Sequence, residues 1–288
     1  MRTAKEIYER VLKVAKADDR IRLVGLNGSR TNQNVPEDWL QDYDVVYVVT
    51  DIDAFVQDPN WIDVFGKRTI LQMPENMAMF PPELGNRFSY LMLFDDYTRI
   101  DLILVPYEEK ENYLVENGLT KVLLNKDEPD RLYPTSTDKA YWIQQPSEEF
   151  YHDCCNEFWW VTTYVAKGLA RREILYAQDH LNQIVRPMLL KMLSWRVGIE
   201  TDFSLSVGKN YKYIEQYLDE DIWQQLLLTF ARGSYEDMWH ALFTACDLFH
   251  RTAKFVEEQL SFTYKSEEED NVRGFLQFVY SEGEIKYQ

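Results

Sequence analysis

The sequence predicts an α/β first half, a mixed sheet with flanking helices, followed by an all-helical second half. Two observations carry this. Runs rich in Val, Leu, Ile and Tyr at 21–26, 42–50, 90–94 and 99–105 have the composition of strands. From Ser147 the apolar positions recur at the helical period, with Phe150, Cys154, Phe158, Val161 and Val165 on one stripe. A length of 288 residues also suits two domains, at roughly 150 residues each. The period changes near 140–147, so the predicted domains are residues 1–145 and 146–288.

The elements follow in order. Residues 3–18 carry Ile7, Val11, Val14 and Ala15 at helical spacing. The strand 21–26 runs into the turn Asn27-Gly28-Ser29-Arg30. Residues 31–41 are polar, contain Pro36 and read as a loop. The strand 42–50 is followed by a predicted helix at 53–65 and by a loop at 74–86, which holds three prolines. Strands 90–94 and 99–105 form a hairpin around Asp95-Asp96-Tyr97-Thr98. Residues 108–116 and 119–124 read as helical or mixed, and 127–137 as a connector. In the second half a helix begins at Ser147, a suitable N-cap, and runs to Gly168. A second helix is predicted over 171–197 with a kink at Pro187. Further helices are predicted at 210–218, 219–231 and 235–261, and the acidic stretch from Ser266 onward is expected to be less ordered.

Composition excludes several classes of function. With 31 Lys and Arg against 48 Asp and Glu, the net charge is −17. A protein that tracks nucleic-acid phosphates needs a basic face, so no nucleic-acid partner is expected. Acidity suits a cationic ligand or simply a soluble surface. The three cysteines have no zinc-site spacing and cannot form a disulfide framework, which fits a reducing cytosol. Residues 1–10 lack the apolar core of a signal peptide, and no stretch approaches the roughly 18 apolar residues of a membrane span. A cytoplasmic protein without membrane attachment is expected.

The informative constellation is Gly28-Ser29, then Asp42-Tyr43-Asp44, then Asp101. Alternate side chains on a strand share a face, so Asp42 and Asp44 point the same way, about 7 Å apart. Like charges at that spacing call for a cation, and Mg²⁺ binds one or two carboxylates together with substrate phosphates. Gly28-Ser29 lies where a strand turns into a loop, and there backbone and hydroxyl can approach a phosphate. Asp101 interrupts an apolar strand, where an acid is costly without a partner. It can share the metal or accept the proton of an attacking hydroxyl. Each part has a plainer reading as a turn, a loop acid or an edge acid. Their order is more specific than any one of them.

This order resembles the polymerase-β-like nucleotidyltransferases. More closely, the whole chain resembles the aminoglycoside 6-adenylyltransferases, the streptomycin-modifying enzymes of bacteria. The match lies in LNGSRTNQNVPEDWLQDYDVVYVVTD (26–51), FPPELGNRFSYLMLF (80–94), RIDLILVP (99–106), DCCNEFWWVTTYVAKGL (153–169), DHLNQIVRPMLLKML (179–193) and VGKNYKYIEQYL (207–218). It carries little beyond about 262.

The resemblance implies a nucleotidyltransferase first domain and a helical substrate-binding second domain. It implies transfer of AMP from ATP to a hydroxyl of streptomycin, at the 6-position of the streptidine ring, with release of pyrophosphate. Asp42, Asp44 and Asp101 are then the catalytic acids and the Mg²⁺ ligands, with Asp101 as ligand, base or both. Gly28, Ser29 and Arg30 would hold the triphosphate. Lys209 and Lys212 are candidates for the β and γ phosphates, or are solvated lysines at a helix start, and Tyr211 contacts the nucleotide or packs. For the guanidinium groups of streptomycin the candidates are Asp153, Glu157 and Trp160, at i, i+4 and i+7 of one helix, and Asp179. The plainer reading of the first three is an amphipathic helix with acids outward and tryptophans inward. His180 reads as a packed histidine. The expected state is a monomer or weak homo-oligomer. The alternatives are a nucleotidyltransferase for another acceptor and a nucleotide-binding regulatory module without turnover.

Overall fold

The computed structural model describes residues 1–285, so the predicted second domain's last three positions, 286–288, lie outside the described residues. The chain divides into two compact units, Met1–Ala140 and the part from Tyr141 onward. Among the described residues no helix is long and apolar enough to cross a membrane.

The first unit is built on a six-stranded sheet. In chain order the strands are β1 (Ile21–Asn27), β2 (Tyr43–Val49), β3 (Arg68–Gln72), β4 (Phe88–Phe94), β5 (Arg99–Pro106) and β6 (Thr120–Asn125); in space they run β3-β4-β5-β2-β1-β6. Every neighbouring pair is antiparallel except the central pair, β2 and β5, which is parallel. Helix α1 (Ala4–Ala17) starts with a capping box in which Thr3 and Glu6 satisfy each other's backbone donors. It lays Ile7, Val11 and Ala15 on a core with Tyr43, Val45 and Tyr47 of β2 and Leu102 and Leu104 of β5. The other face of the sheet packs Leu23, Val46, Val48 and Val105 against Tyr113 of α3 (Lys110–Glu116). The alternation along β2 therefore feeds two cores, which is why the strand reads as one apolar run.

The second unit is helical: α4 (Glu148–Ala170), α5 (Ile174–His180), α6 (Arg186–Glu200), α7 (Glu220–Leu228), α8 (Tyr235–Leu260) and α9 (Ser266–Glu282). Ser147 caps α4 by accepting from the Phe150 N–H, as expected. The α4 stripe meets α8 where Phe158 stacks on Phe249 at 3.7 Å between centroids.

Several expectations need correction. Residues 119–124 are not helical; β6 pairs with β1, and its residues are half-buried at a sheet edge, which blurs the alternation. The edge strand β3, mostly exposed, carries no alternating signal either. The helix expected at 53–65 is a short α2 (Ile52–Val56) and a 3₁₀ segment that starts at Pro59. The expected helix 171–197 contains one wide π turn, Leu181–Val185, which joins α5 to α6 just before Pro187. Proline lacks the N–H that a regular turn would use, and the widened turn accommodates that loss. Residues 210–218 form two 3₁₀ turns, Lys209–Tyr211 and Ile214–Tyr217, because Asn210 and Tyr211 take positive φ of 56° and 61°. Finally, the stretch from Ser266 is the ordered helix α9, anchored by the buried Glu269 and Leu276.

Candidate active site

The site is built where β1, β2 and β5 lie side by side. Parallel pairing of β2 with β5 sets Asp44 beside Asp101, and antiparallel pairing of β1 with β2 sets Asn27 beside Asp44. Neighbouring positions on adjacent strands bring Cβ atoms to roughly 5 Å. Asp42 lies one residue before β2 begins. The register thus gathers residues separated by tens of positions into one polar row.

Gly28 follows directly. It has φ of +72°, and a Cβ built there would collide with Asp44 Oδ2. Glycine is therefore needed both for the left-handed backbone and for the space in front of the carboxylate. Its N–H donates to the Leu119 carbonyl at 3.1 Å, so that donor is engaged within the fold. Ser29 is the second residue of a short 3₁₀ turn over Gly28–Thr31. The Arg30 guanidinium stacks over the Tyr43 ring at 3.8 Å. It donates to the Asp42 carbonyl at 3.0 Å and the Gln41 carbonyl at 2.7 Å, which ties down the approach to β2.

The acids are electrostatically loaded. Burial pushes the Asp44 carboxyl up to about 6, and the charges of Asp101 and Asp42 add to it while Arg99 and Arg30 oppose it. The Asp42 carboxyl is also raised, first by burial and then by Asp101, again against Arg99 and Arg30. Arg99 clasps Asp101 through two bonds, Nε to Oδ1 at 2.8 Å and Nη2 to Oδ2 at 2.7 Å. Its Nε is also 3.5 Å from Asp42 Oδ2. Asp42, Arg30, Arg99, Trp39, Tyr43 and Tyr97 line part of a cleft of about 480 Å³.

Sequence reasoning missed two contributors. Arg99 stands two residues before Asp101, so strand alternation alone would have placed it on the acid face. Asn27 precedes the Gly-Ser turn, and its Oδ1 accepts from Tyr113 Oη at 2.9 Å and Thr120 Oγ1 at 3.2 Å. No local pattern announces those partners, which come from α3 and β6.

The second-unit candidates fall in two places. Tyr211 lines a cleft of about 540 Å³ together with Phe150, Lys191, Ser194 and Trp195, and burial raises its hydroxyl pKa. Lys209 and Lys212 flank it on the same strained turn, with Lys212 Nζ 4.9 Å from the centre of the Tyr213 ring. Asp153, Glu157 and Trp160 all lie exposed along α4, while Trp159 is buried, so one tryptophan faces outward and one inward. Trp160 donates to Tyr164 Oη at 2.9 Å, and the Tyr164 ring meets His180 at 5.6 Å. This aromatic ladder leads from the α4 face to the end of α5, where Asp179 is exposed. The cysteines take no part: all three are buried, and burial pushes the Cys154 and Cys246 thiols up to about 12.

Acids set on neighbouring parallel strands beside a glycine turn, in a chain that also carries a helical unit, fit the class of the nucleotidyltransferases. The family model for streptomycin adenylyltransferase matches residues 1–279, and the chain belongs to that family. Three relatives bear the name aminoglycoside 6-adenylyltransferase. That of Bacillus subtilis (strain 168) is 48% identical over 93% of this chain and 95% of its own. That of Campylobacter jejuni is 48% identical over 92% and 91%, respectively. That of Staphylococcus aureus is 39% identical over 97% and 99%.

Proposed function

We propose that the protein transfers AMP from ATP to the 6-hydroxyl of the streptidine ring of streptomycin, with Mg²⁺ as cofactor and pyrophosphate as the other product. The observation that supports this best is the register pairing of Asp44 with Asp101 beside Gly28.

The donor set suits a hard divalent cation. It consists of carboxylate oxygens, and the Asp44 carboxylate accepts no hydrogen bond from any described side chain. Among the described residues no three acidic, His or Cys side chains are already gathered into a metal cage. Two of the acids face the Arg99 guanidinium instead. Asp42, Asp44 and Asp101 would hold Mg²⁺, whose chemistry is to neutralise phosphate charge and polarise the α-phosphoryl group. The rest is positioning by the chain. The streptomycin hydroxyl oxygen bonds to the α-phosphorus, the bond to the bridging oxygen breaks, and that electron pair leaves with pyrophosphate. In this reading the hydroxyl proton goes to a carboxylate oxygen of Asp101, whether or not that acid also serves as a ligand. The Ser29 hydroxyl and Arg30 would steady the triphosphate, with Lys209, Lys212 and Tyr211 as the second unit's candidates for the nucleotide. The exposed acids Asp153, Glu157 and Asp179, with Trp160, suit guanidinium groups. We place the protein in the cytoplasm, as a monomer or weak homo-oligomer.

The test is pyrophosphate release from labelled ATP with streptomycin, kanamycin and spectinomycin offered separately. Release with streptomycin alone is expected, and its modification should map to the 6-hydroxyl. Release with none of the three would overturn the reading.

A further inference from the structure

We propose that Arg99 is the resident counter-ion of the acid row: it holds the place of the divalent cation in the free protein and is displaced when that cation enters. The inference rests on the Mg²⁺ reading given above and adds to it a residue with a two-state role.

Four observations point the same way. Arg99 and Asp101 share a strand face two residues apart, so the guanidinium is directed at the acids by the pleat itself. It engages both oxygens of Asp101, at 2.8 and 2.7 Å, in the forked geometry specific to arginine. The same Nε lies 3.5 Å from Asp42 Oδ2, so one cation bridges two of the three acids. No ready metal cage is present among the described residues, and two of the three acids that would form one are turned to this guanidinium.

The physical logic is charge. Three carboxylates on adjacent strands repel one another without a cation. A guanidinium keeps its proton at any working pH and so compensates them at every pH for as long as it stays in place. A forked pair with Asp101 also occupies the oxygens that a metal would need. Entry of the cation must therefore break it. The released fork then suits a phosphate, which arrives with the metal as part of the nucleotide. A merely structural ion pair at the half-exposed start of β5 would show none of this exchange.

The experiment measures Mn²⁺ binding directly, by the loss of its free electron paramagnetic resonance signal, on the full chain without nucleotide. Wild type, Arg99→Gln and Arg99→Lys are compared, each first checked for folding by circular dichroism. Arg99→Gln should bind Mn²⁺ roughly threefold to fivefold more tightly than wild type, the equivalent of a partly exposed ion pair. Arg99→Lys, charged but without the fork, should fall between them. At the same time kcat/KM for ATP should fall in Arg99→Gln. In the wild type, which needs no variant to fold, the Arg99 Nε–H resonance should shift and lose protection as Mg²⁺ is added. Mn²⁺ binding in Arg99→Gln no tighter than in wild type, or an Arg99 resonance unmoved at saturating Mg²⁺, overturns the proposal while leaving the metal reading intact. Wild type that binds no Mn²⁺, with or without ATP, overturns both.

Discussion

Two acids, the buried Glu269 in one unit and the half-buried Asp44 in the other, have opposite surroundings. Glu269 on α9 accepts from Tyr264 Oη at 2.6 Å and from Arg273 Nε at 2.6 Å, and His250 Nδ1 lies 2.7 Å away. Burial alone would raise its carboxyl, but these partners, Tyr264 foremost, hold it below the usual range. Asp44 has no such donors, and burial with two neighbouring acids pushes it up to about 6. An acid completed by its own chain is architecture. One left open is completed from outside, by a proton or a cation. The contrast sets a carboxylate satisfied within the fold apart from one that suits the proposed metal role, without reference to any relative.

It can be broken most decisively at Asp44. Asp44→Asn should lower the rate of pyrophosphate release by on the order of a thousandfold, because the charge that organises the site is gone. A near-normal rate would make Asp44 a second architectural acid. Glu269→Ala should act on the fold instead. Removing one member of a buried charged network costs about 3 kcal/mol, read as a shift in the denaturant midpoint. Turnover per folded molecule should be unchanged. The acid limb sharpens the point: since the Glu269 carboxyl is lowered by folding, its contribution is present at neutral pH and is lost as pH falls through the carboxylate range.

Asp44 should show the reverse sign. Its raised carboxyl means that the metal-free fold binds a proton more tightly than the unfolded chain between about pH 4 and 6, so its ionisation destabilises the fold above that window. Asp44→Asn should therefore stabilise the chelator-treated protein at pH 7, by on the order of 2 kcal/mol, and leave it unchanged at pH 4. Equal unfolding curves at both pH values would remove the argument from burial. The smallest effect is expected at Tyr113→Phe, which deletes one hydrogen bond to Asn27 and should cost about 1 kcal/mol in stability. A loss confined to stability would mark Asn27 as part of the floor, whereas a larger loss in kcat would draw it into the site.

The legible part of the site was the part carried by local pattern. Asp42, Asp44 and Asp101 stand out as acids in apolar strands, and Gly28 as a turn glycine. Arg99 was legible but unread, since it sits on the acid face by the same alternation. Asn27 with Tyr113 and Thr120 was not legible, because those partners come from 86 and 93 residues away. The same limit explains the fold. The central strands and the stripes of α4 and α8 have strong periods because each faces a core. The edge strands β3 and β6 face a core weakly and were missed or misread. Acidic composition made α9 look loose, yet the helix is anchored by Leu276 and by a buried glutamate, two of whose partners, Tyr264 and His250, lie outside the helix.

By itself the sequence determined which segments could be strands or helices and which acids were out of place in them, because side-chain period and residue type are properties of neighbouring positions. Only the tertiary structure decided that Asp44 lies beside Asp101, that Arg99 bridges two of the acids, and that Glu269 is satisfied while Asp44 is not. Strand register and burial depend on residues far apart in the chain, and they set the electrostatics of a carboxylate more than its own identity does.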